Sequence, residues 1–453
     1  MFEVSLMIDK IIKARYIHIL FYITLFYSSN TLAQQNTKTV VASKTVEDAH
    51  YDFLKDLHNE ESKNSGKILG RLGLSSKGLS DYKRKEYNLY LDSYFPDASS
   101  DRVLMFLFEL NIYEEEWAEA EINMLKFVYL FPQSDIYKKV IDRGYTLLQE
   151  EKYYSSNRDK LIKLINDAPK SGKIYKRYHQ LLSEVYDLKD KKITDLFIQE
   201  SWNYLHLYPN RSQCSSVMMW LAKLEQEASN FHPAVMVYEK LMNLYPASKD
   251  YSDALYQVAR LQQEEFNEYN EATVSFRKFL KMFPNHKYVA YAQYRIATMA
   301  DKNFDDWSTA VKEYEVLANK YPNFKHTITS LLRMGSIQES KLKERKEAIQ
   351  TYQRVFSTYP DSSEESIEAL HRSANLYVKS KQFEDAVKQH MTVIKKYPKT
   401  DGSLKSLSKC ADIYEKKMDN KEKAIEVLNM VSTDFPDSRD AKKAQRRIRK
   451  LSK

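Results

Sequence analysis

Residues 361–398 read DSSEESIEALHRSANLYVKSKQFEDAVKQHMTVIKKYP, and this stretch decides the fold. Asp361, Ser362 and Ser363 offer side-chain oxygens suited to capping the amino end of a helix. Ile367, Leu370, Ala374 and Tyr377 then recur at helical spacing, which puts them on one face. Lys379-Ser380-Lys381-Gln382 is a polar turn. Phe383, Ala386, Val387, His390 and Ile394 carry a second helix to Tyr397. Pro398 cannot continue that helix and pushes its predecessor out of the helical region, so the unit stops cleanly. One stretch therefore predicts one pair of helices.

The same ending recurs along the chain. Aromatic-proline pairs fall at Phe95-Pro96, Phe131-Pro132, Tyr208-Pro209, Tyr245-Pro246, Phe283-Pro284, Tyr321-Pro322, Tyr359-Pro360, Tyr397-Pro398 and Phe435-Pro436. Ala168-Pro169 fills the gap between the second and third, and the interval settles at 38 residues from Pro246 onward. Ten of the 11 prolines obey this period, so it is not a compositional accident. A second marker fixes the register. Twelve residues before the proline stands Ala120, Ala234, Ala272, Ala310, Ala348, Ala386 or Ala424. Four residues later comes a larger side chain: Met124, Tyr238, Phe276, Tyr314, Tyr352, His390 or Leu428. A small residue lets two helices approach, and the neighbouring ring fills the remaining groove.

Composition agrees with an all-helical reading. The 453-residue chain is 43% hydrophobic and 29% charged, which excludes a disordered chain. Its 8 glycines are too few for many strands joined by tight turns. Cys214 and Cys410 sit in no metal or redox motif and form no disulfide framework, so they read as small buried residues.

The first 33 residues have the layout of an export signal. Lys10, Lys13 and Arg15 precede an apolar run from Ile17 to Tyr27, and Thr31-Leu32-Ala33 offers a small-residue cleavage site. The run is short for a membrane span. The sequence thus predicts cleavage after Ala33 and a periplasmic or secreted protein, with an uncleaved anchor as the alternative. Removing three basic and two acidic residues takes the net charge from +8 to +7. An exported basic protein has little chromosomal nucleic acid to meet, and the charge suits an acidic partner instead. The expected division is signal peptide 1–33, an N-terminal segment with a glycine-containing linker 34–79, a repeat array 80–436 and a basic capping helix 437–453. In the second segment a short helix is expected around Glu47–Asn59, followed by a linker holding Gly66, Gly70, Gly73 and Gly78. The array would open with a lone helix from Asp81 to Tyr94. Ser134, Ser171, Ser248, Thr400 and Ser438 are expected to cap first helices. In the last helix Ala441, Ala444, Ile448 and Leu451 face inward, and lysines and arginines cover the rest as a polar cap.

These residues resemble the tetratricopeptide repeat: a small residue in the first helix, alanine then an aromatic in the second, and a terminal proline. The unit is longer than the usual 34-residue form of that family. It is similar to exported bacterial members, among them outer-membrane-assembly and envelope-constriction coordinator proteins. The resemblance implies an all-α, right-handed solenoid of about nine helix pairs. Two units, 133–169 and 170–209, depart from it, with Asn157 and Phe197 in place of the alanine, and are expected to be divergent with an altered superhelical pitch.

No catalytic motif emerges. The Gly-Lys pairs at 66–67 and 172–173 lack the upstream glycine of a phosphate loop, and neither HExxH nor GxSxG occurs. His286, His326 and His371 fall at unequal offsets, so no metal cluster and no cofactor is expected. Trp117 and Trp307, three residues before marker alanines, read as packing residues. One column stands out. Fifteen residues before the alanine, at a position that faces the concave groove in the family, stand Met219, Gln257, Arg295, Arg333, His371 and Lys409. Eight residues further on stand Asn303, Lys341, Lys379 and Lys417. The last four units would present a double ladder of positive charge, against the plainer reading of an ordinary solvated face. Such a ladder suits an extended acidic segment of a partner protein. The expected function is a non-catalytic periplasmic scaffold or adaptor in envelope assembly, secretion or motility. The alternative is a binder of acidic envelope polymer, peptidoglycan or lipopolysaccharide.

Overall fold

The computed structural model describes residues 40–59, 76–150 and 157–452. The expected signal peptide, its cleavage site, and Gly66, Gly70 and Gly73 lie outside them. Among the described residues every regular element is helical, and no helix is long and apolar enough to cross a membrane. The chain divides into two compact units, Met1–Val237 and Tyr238–Lys453.

In the first unit, α1 (Val40–Asn59) and α2 (Ser76–Tyr94) precede α3 (Ser100–Tyr113) and α4 (Trp117–Leu130). Next come α5 (Tyr137–Gln149), α6 (Arg158–Asp167), α7 (Ile174–Leu188), α8 (Thr194–Leu207) and α9 (Cys214–Glu227). The division falls within α10 (Phe231–Leu244). The helix expected to open the array alone has a partner: α1 packs on it, with His50 edge-on to Tyr90 at 5.3 Å. His58 of α1 also stacks on Phe106 of α3 at 4.1 Å and bonds Glu109 at 3.0 Å. Buried apolar faces drive this pairing, since Leu54, Leu57, Tyr87 and Tyr90 are all buried.

The two units with Asn157 and Phe197 at the marker position differ from the regular hairpins. Helix α4 is followed by the short α5 and α6, yet α7 and α8 pack directly against α4. Arg177 of α7 donates to the carbonyls of Tyr129 and Leu130 at the end of α4, at 2.8 and 2.7 Å. Lys126 of α4 pairs with Glu200 of α8 at 2.8 Å. With Asn157 and Phe197 at the marker position, these two units have no small residue there to let helices approach.

The second unit is regular. Its hairpins are α11 (Tyr251–Glu264) with α12 (Tyr269–Met282), and α13 (Val289–Lys302) with α14 (Trp307–Lys320). Then come α15 (Thr327–Ile337) with α16 (Arg345–Thr358), and α17 (Ser363–Lys379) with α18 (Phe383–Lys396). They end with α19 (Asp401–Lys417), α20 (Lys421–Asp434) and the single α21 (Arg439–Leu451). All seven marker alanines have no exposed surface, and the side chains four residues on are buried with them. The close approach is visible at Gly335 of α15, where an added Cβ would lie 2.6 Å from the Tyr352 ring of α16.

Two local features differ from expectation. Thr400 and Ser438 do cap, accepting from Ser403 N at 3.1 Å and Ala441 N at 3.0 Å. Ser362 occupies the cap of α17 without a side-chain bond, and α5, α7 and α11 start after Ile136, Lys173 and Asp250, likewise without one. The turn between the two helices of a hairpin carries a left-handed residue five positions before the alanine: Glu115, Ser229, Asn267, Asp305, Lys343, Lys381 and Asp419, with φ from 48° to 62°. None is glycine, the residue that adopts this conformation without steric cost.

Candidate functional site

The charged column lies on the first helices of successive hairpins in the second unit. Each such helix is set by its apolar face; α13, for example, buries Ala292, Ile296, Ala297 and Met299 and leaves Arg295 at the edge of that face. Arg295 donates to Gln263 at 2.9 Å and Glu264 at 2.6 Å, both at the end of α11. Arg333 of α15 grips Asp301 of α13 through two bonds of 2.7 and 2.6 Å. The Asp301 carboxylate is fully buried and also accepts from the Tyr314 hydroxyl at 3.3 Å. Its bond to Arg333 raises the guanidinium pKa above the ordinary value.

The same position 38 residues beyond Lys409 is Arg447 of α21, which pairs with Asp412 at 2.8 Å and with Glu415, both on α19. Arg295, Arg333 and Arg447 thus each reach a carboxylate 31 or 32 residues earlier, on the preceding first helix. They are staples between neighbouring hairpins, not free rungs. This corrects the expectation of an open double ladder at its first two rungs, and Lys379 follows suit by pairing with Glu339 at 2.8 Å.

His371 departs further. It is buried, with Nε2 2.7 Å from the Ser406 hydroxyl, which His390 Nδ1 approaches at 3.3 Å. Burial lowers the His371 pKa to about 4, helped by Lys405 and Lys409. Burial lowers that of His390 to about 3, with His371 and the same two lysines adding to it. Both rings are neutral at pH 7, so His371 supplies no positive charge. What remains is Lys409, at a rung whose register partner one unit back is Tyr377 and not an acid. Lys341, Lys409 and Lys417 are exposed and form no ion pair among the described residues, although Lys341 sits 4.4 Å over the Trp307 ring. No group of three or more His, Cys, Asp or Glu among the described residues is placed to hold a metal ion.

The tetratricopeptide repeat family model matches residues 216–248, 253–286, 291–323, 329–362 and 406–438. These five segments are tetratricopeptide repeats. The all-α, helical-hairpin solenoid expected from the sequence is the fold. Among solved structures, a tetratricopeptide repeat protein from Parabacteroides merdae is 13% identical, over 61% of this chain and 99% of that one, with a TM-score of 0.33. The MamA protein is 18% identical over 41% of this chain and 92% of its own, with a TM-score of 0.31. PilW, described as a widely conserved type IV pilus biogenesis factor, is 17% identical over 51% and 99%, with a TM-score of 0.26. No curated protein matches the chain.

Between the fourth and fifth matched repeats lies the hairpin α17–α18, built on the same helix pair and buried Ala386. The repeats carry the column, but sequence reading missed its counter-charges. Glu264, Asp301 and Glu415 recur at nearly the same period as the arginines, and a search for acids about 32 residues upstream would have found them.

Proposed function

We propose that the chain is an exported, non-catalytic scaffold that holds partner proteins along the first-helix face of its second unit, within envelope assembly, secretion or motility. The observation that carries this reading is the set of exposed lysines Lys341, Lys409 and Lys417, which form no ion pair among the described residues and are spaced along tetratricopeptide repeats whose other column cations are neutralised internally. A surface that neutralises part of its charge for stacking and leaves the rest exposed suits an extended acidic segment, each anion meeting one lysine. Export rests on the basic, apolar and small-residue order of the first 33 residues.

The test is crosslinking in intact cells followed by mass spectrometry, comparing the wild type with a Lys341→Glu/Lys409→Glu/Lys417→Glu variant. Arg295 and Arg333 are left alone, because reversing them would break inter-hairpin staples. A protein captured by the wild type and lost from the variant supports the reading. Identical capture sinks it for this face. Empty capture, with co-sedimentation on purified peptidoglycan or lipopolysaccharide, favours the polymer-binding alternative. A mature amino terminus at Gln34 is expected, and an intact terminus in the mature protein would overturn cleavage after Ala33.

A further inference from the structure

Helices α11 and α13 and the turn before α15 enclose a cleft of about 410 Å³ in the second unit. One wall is aromatic. Tyr294 stacks on His326 at 4.7 Å with the rings 16° apart, and Tyr291 meets Phe324 edge-on at 4.8 Å. Three cationic side chains, Arg295, Lys302 and Lys325, line the cleft as well. Arg295 is fixed by Gln263 and Glu264, so it is a rigid part of the lining. Glu264 already serves two cations, Arg260 at 2.7 Å and Arg295 at 2.6 Å. The neighbouring Asp301 is committed to Arg333. Lys302 and Lys325 are exposed and form no ion pair among the described residues, although Lys325 lies 5.4 Å from the Tyr291 ring. The charge balance at the cleft is therefore strongly positive, and the aromatic wall offers apolar area beside it.

Such a pairing of preformed concavity, apolar area and a few convergent polar groups is what a recognition pocket requires. We propose that this cleft is the anchoring pocket for an acidic, aromatic-bearing segment of a partner protein, its carboxylates on Lys302 and Lys325 and its ring against Tyr291 and Tyr294. The proposal rests on the scaffold reading above and locates the anchor away from Lys409 and Lys417. An acidic peptide suits the cleft because its carboxylates can meet Lys302 and Lys325 while an aromatic side chain covers the rings of Tyr291 and Tyr294. The volume also holds two or three side chains, not a long run of sugar rings. Aromatic and cationic contacts act together here, since a desolvated ring beside an ion pair strengthens it.

The test uses the full-length mature chain and a fluorescein-labelled peptide of alternating aspartates and phenylalanines, read by fluorescence anisotropy. The wild type is expected to bind it. Lys302→Gln/Lys325→Gln is expected to weaken binding at least ten-fold, while Lys281→Gln, at an exposed lysine of α12 outside the cleft, changes it less than two-fold. An asparagine-for-aspartate peptide and a serine-for-phenylalanine peptide are each expected to lose at least ten-fold. Both lysines are exposed, so the double variant keeps its helicity, which circular dichroism checks. Failure of the wild type to bind, equal binding by the double variant, or equal binding of either control peptide overturns the proposal. So does displacement of the peptide by soluble peptidoglycan fragments at lower concentration than by unlabelled peptide. If the cleft fails while crosslinking through Lys341, Lys409 and Lys417 survives, the scaffold reading stands and the anchor lies elsewhere.

Discussion

The hydroxyl of Tyr397 donates to the carbonyl of Pro360, 2.6 Å away and one unit earlier, and Tyr359 does the same to Pro322 at 2.8 Å. The aromatic-proline pair that ends a hairpin is therefore also a strap to the hairpin before it. Tyr397→Phe keeps the ring and removes the bond. A net hydrogen bond contributes about 0.5–1.5 kcal/mol, and this one is partly solvated, so a loss near the lower bound is expected. Urea unfolding of the variant checks it, and an unchanged midpoint would show the strap to be energetically idle.

The staple between Arg333 and Asp301 should matter more. Arg333→Ala strands a fully buried carboxylate, with only the Tyr314 hydroxyl left to it. Losing one partner of a buried pair costs about 3–5 kcal/mol, and the half-exposed guanidinium lowers the expectation to about 2 kcal/mol. Combining Arg333→Met with Asp301→Leu should recover much of that, because no unpaired charge is then buried. A double-mutant cycle by chemical denaturation measures the difference.

The left-handed turn residues suggest stabilising changes. Lys343 and Lys381 have φ of 62° and 60°. A non-glycine residue there costs about 1–2 kcal/mol, and glycine returns roughly 0.5–1 kcal/mol of that through the greater freedom of its unfolded chain. Lys343→Gly and Lys381→Gly should each raise stability by about 0.5 kcal/mol. Thermal melts of the single and double variants would reveal an opposite sign at once.

Acid should act through the histidine pair. His371 and His390 titrate at about 4 and about 3 in the folded chain, against 6.5 for a free imidazole. Between pH 6.5 and 4 the unfolded chain takes up protons that the folded chain refuses, so the stability present above pH 6.5 is lost as pH falls. Each ring taken alone accounts for roughly 3 kcal/mol of this loss. His390→Phe places a ring at a position that holds Phe276 in α12, and it should flatten the decline between pH 6.5 and 4. An identical slope in the variant would assign acid sensitivity to other groups.

Much of this was legible because the informative signals are local. A proline and an alanine twelve residues apart report the end and the packing face of one helix, whatever surrounds them. The arginine column was legible as a column, but its meaning depended on Glu264, Asp301 and Glu415, which meet it only once hairpins stack. The turn conformation left only a partial trace: Asn267, Asp305 and Asp419 are of the types that tolerate positive φ, whereas Lys343, Lys381 and Glu115 give no hint of it. The departure at Asn157 and Phe197 was visible, yet the direct docking of Arg177 and Glu200 onto α4 was not, since it skips an intervening helix pair. The lone opening helix was misjudged because the apolar face of α1 is short and follows a polar stretch.

The arrangement at α21 has a consequence for how molecules meet. Arg447 docks this helix as though it began another hairpin, and Ala441 and Ala444 fill the seam beneath it. Where the next helix of a hairpin would lie, Lys442, Lys443, Arg446, Arg449 and Lys450 are exposed instead. Two copies approaching through this face would bring like charges together, so α21 disfavours self-pairing across it.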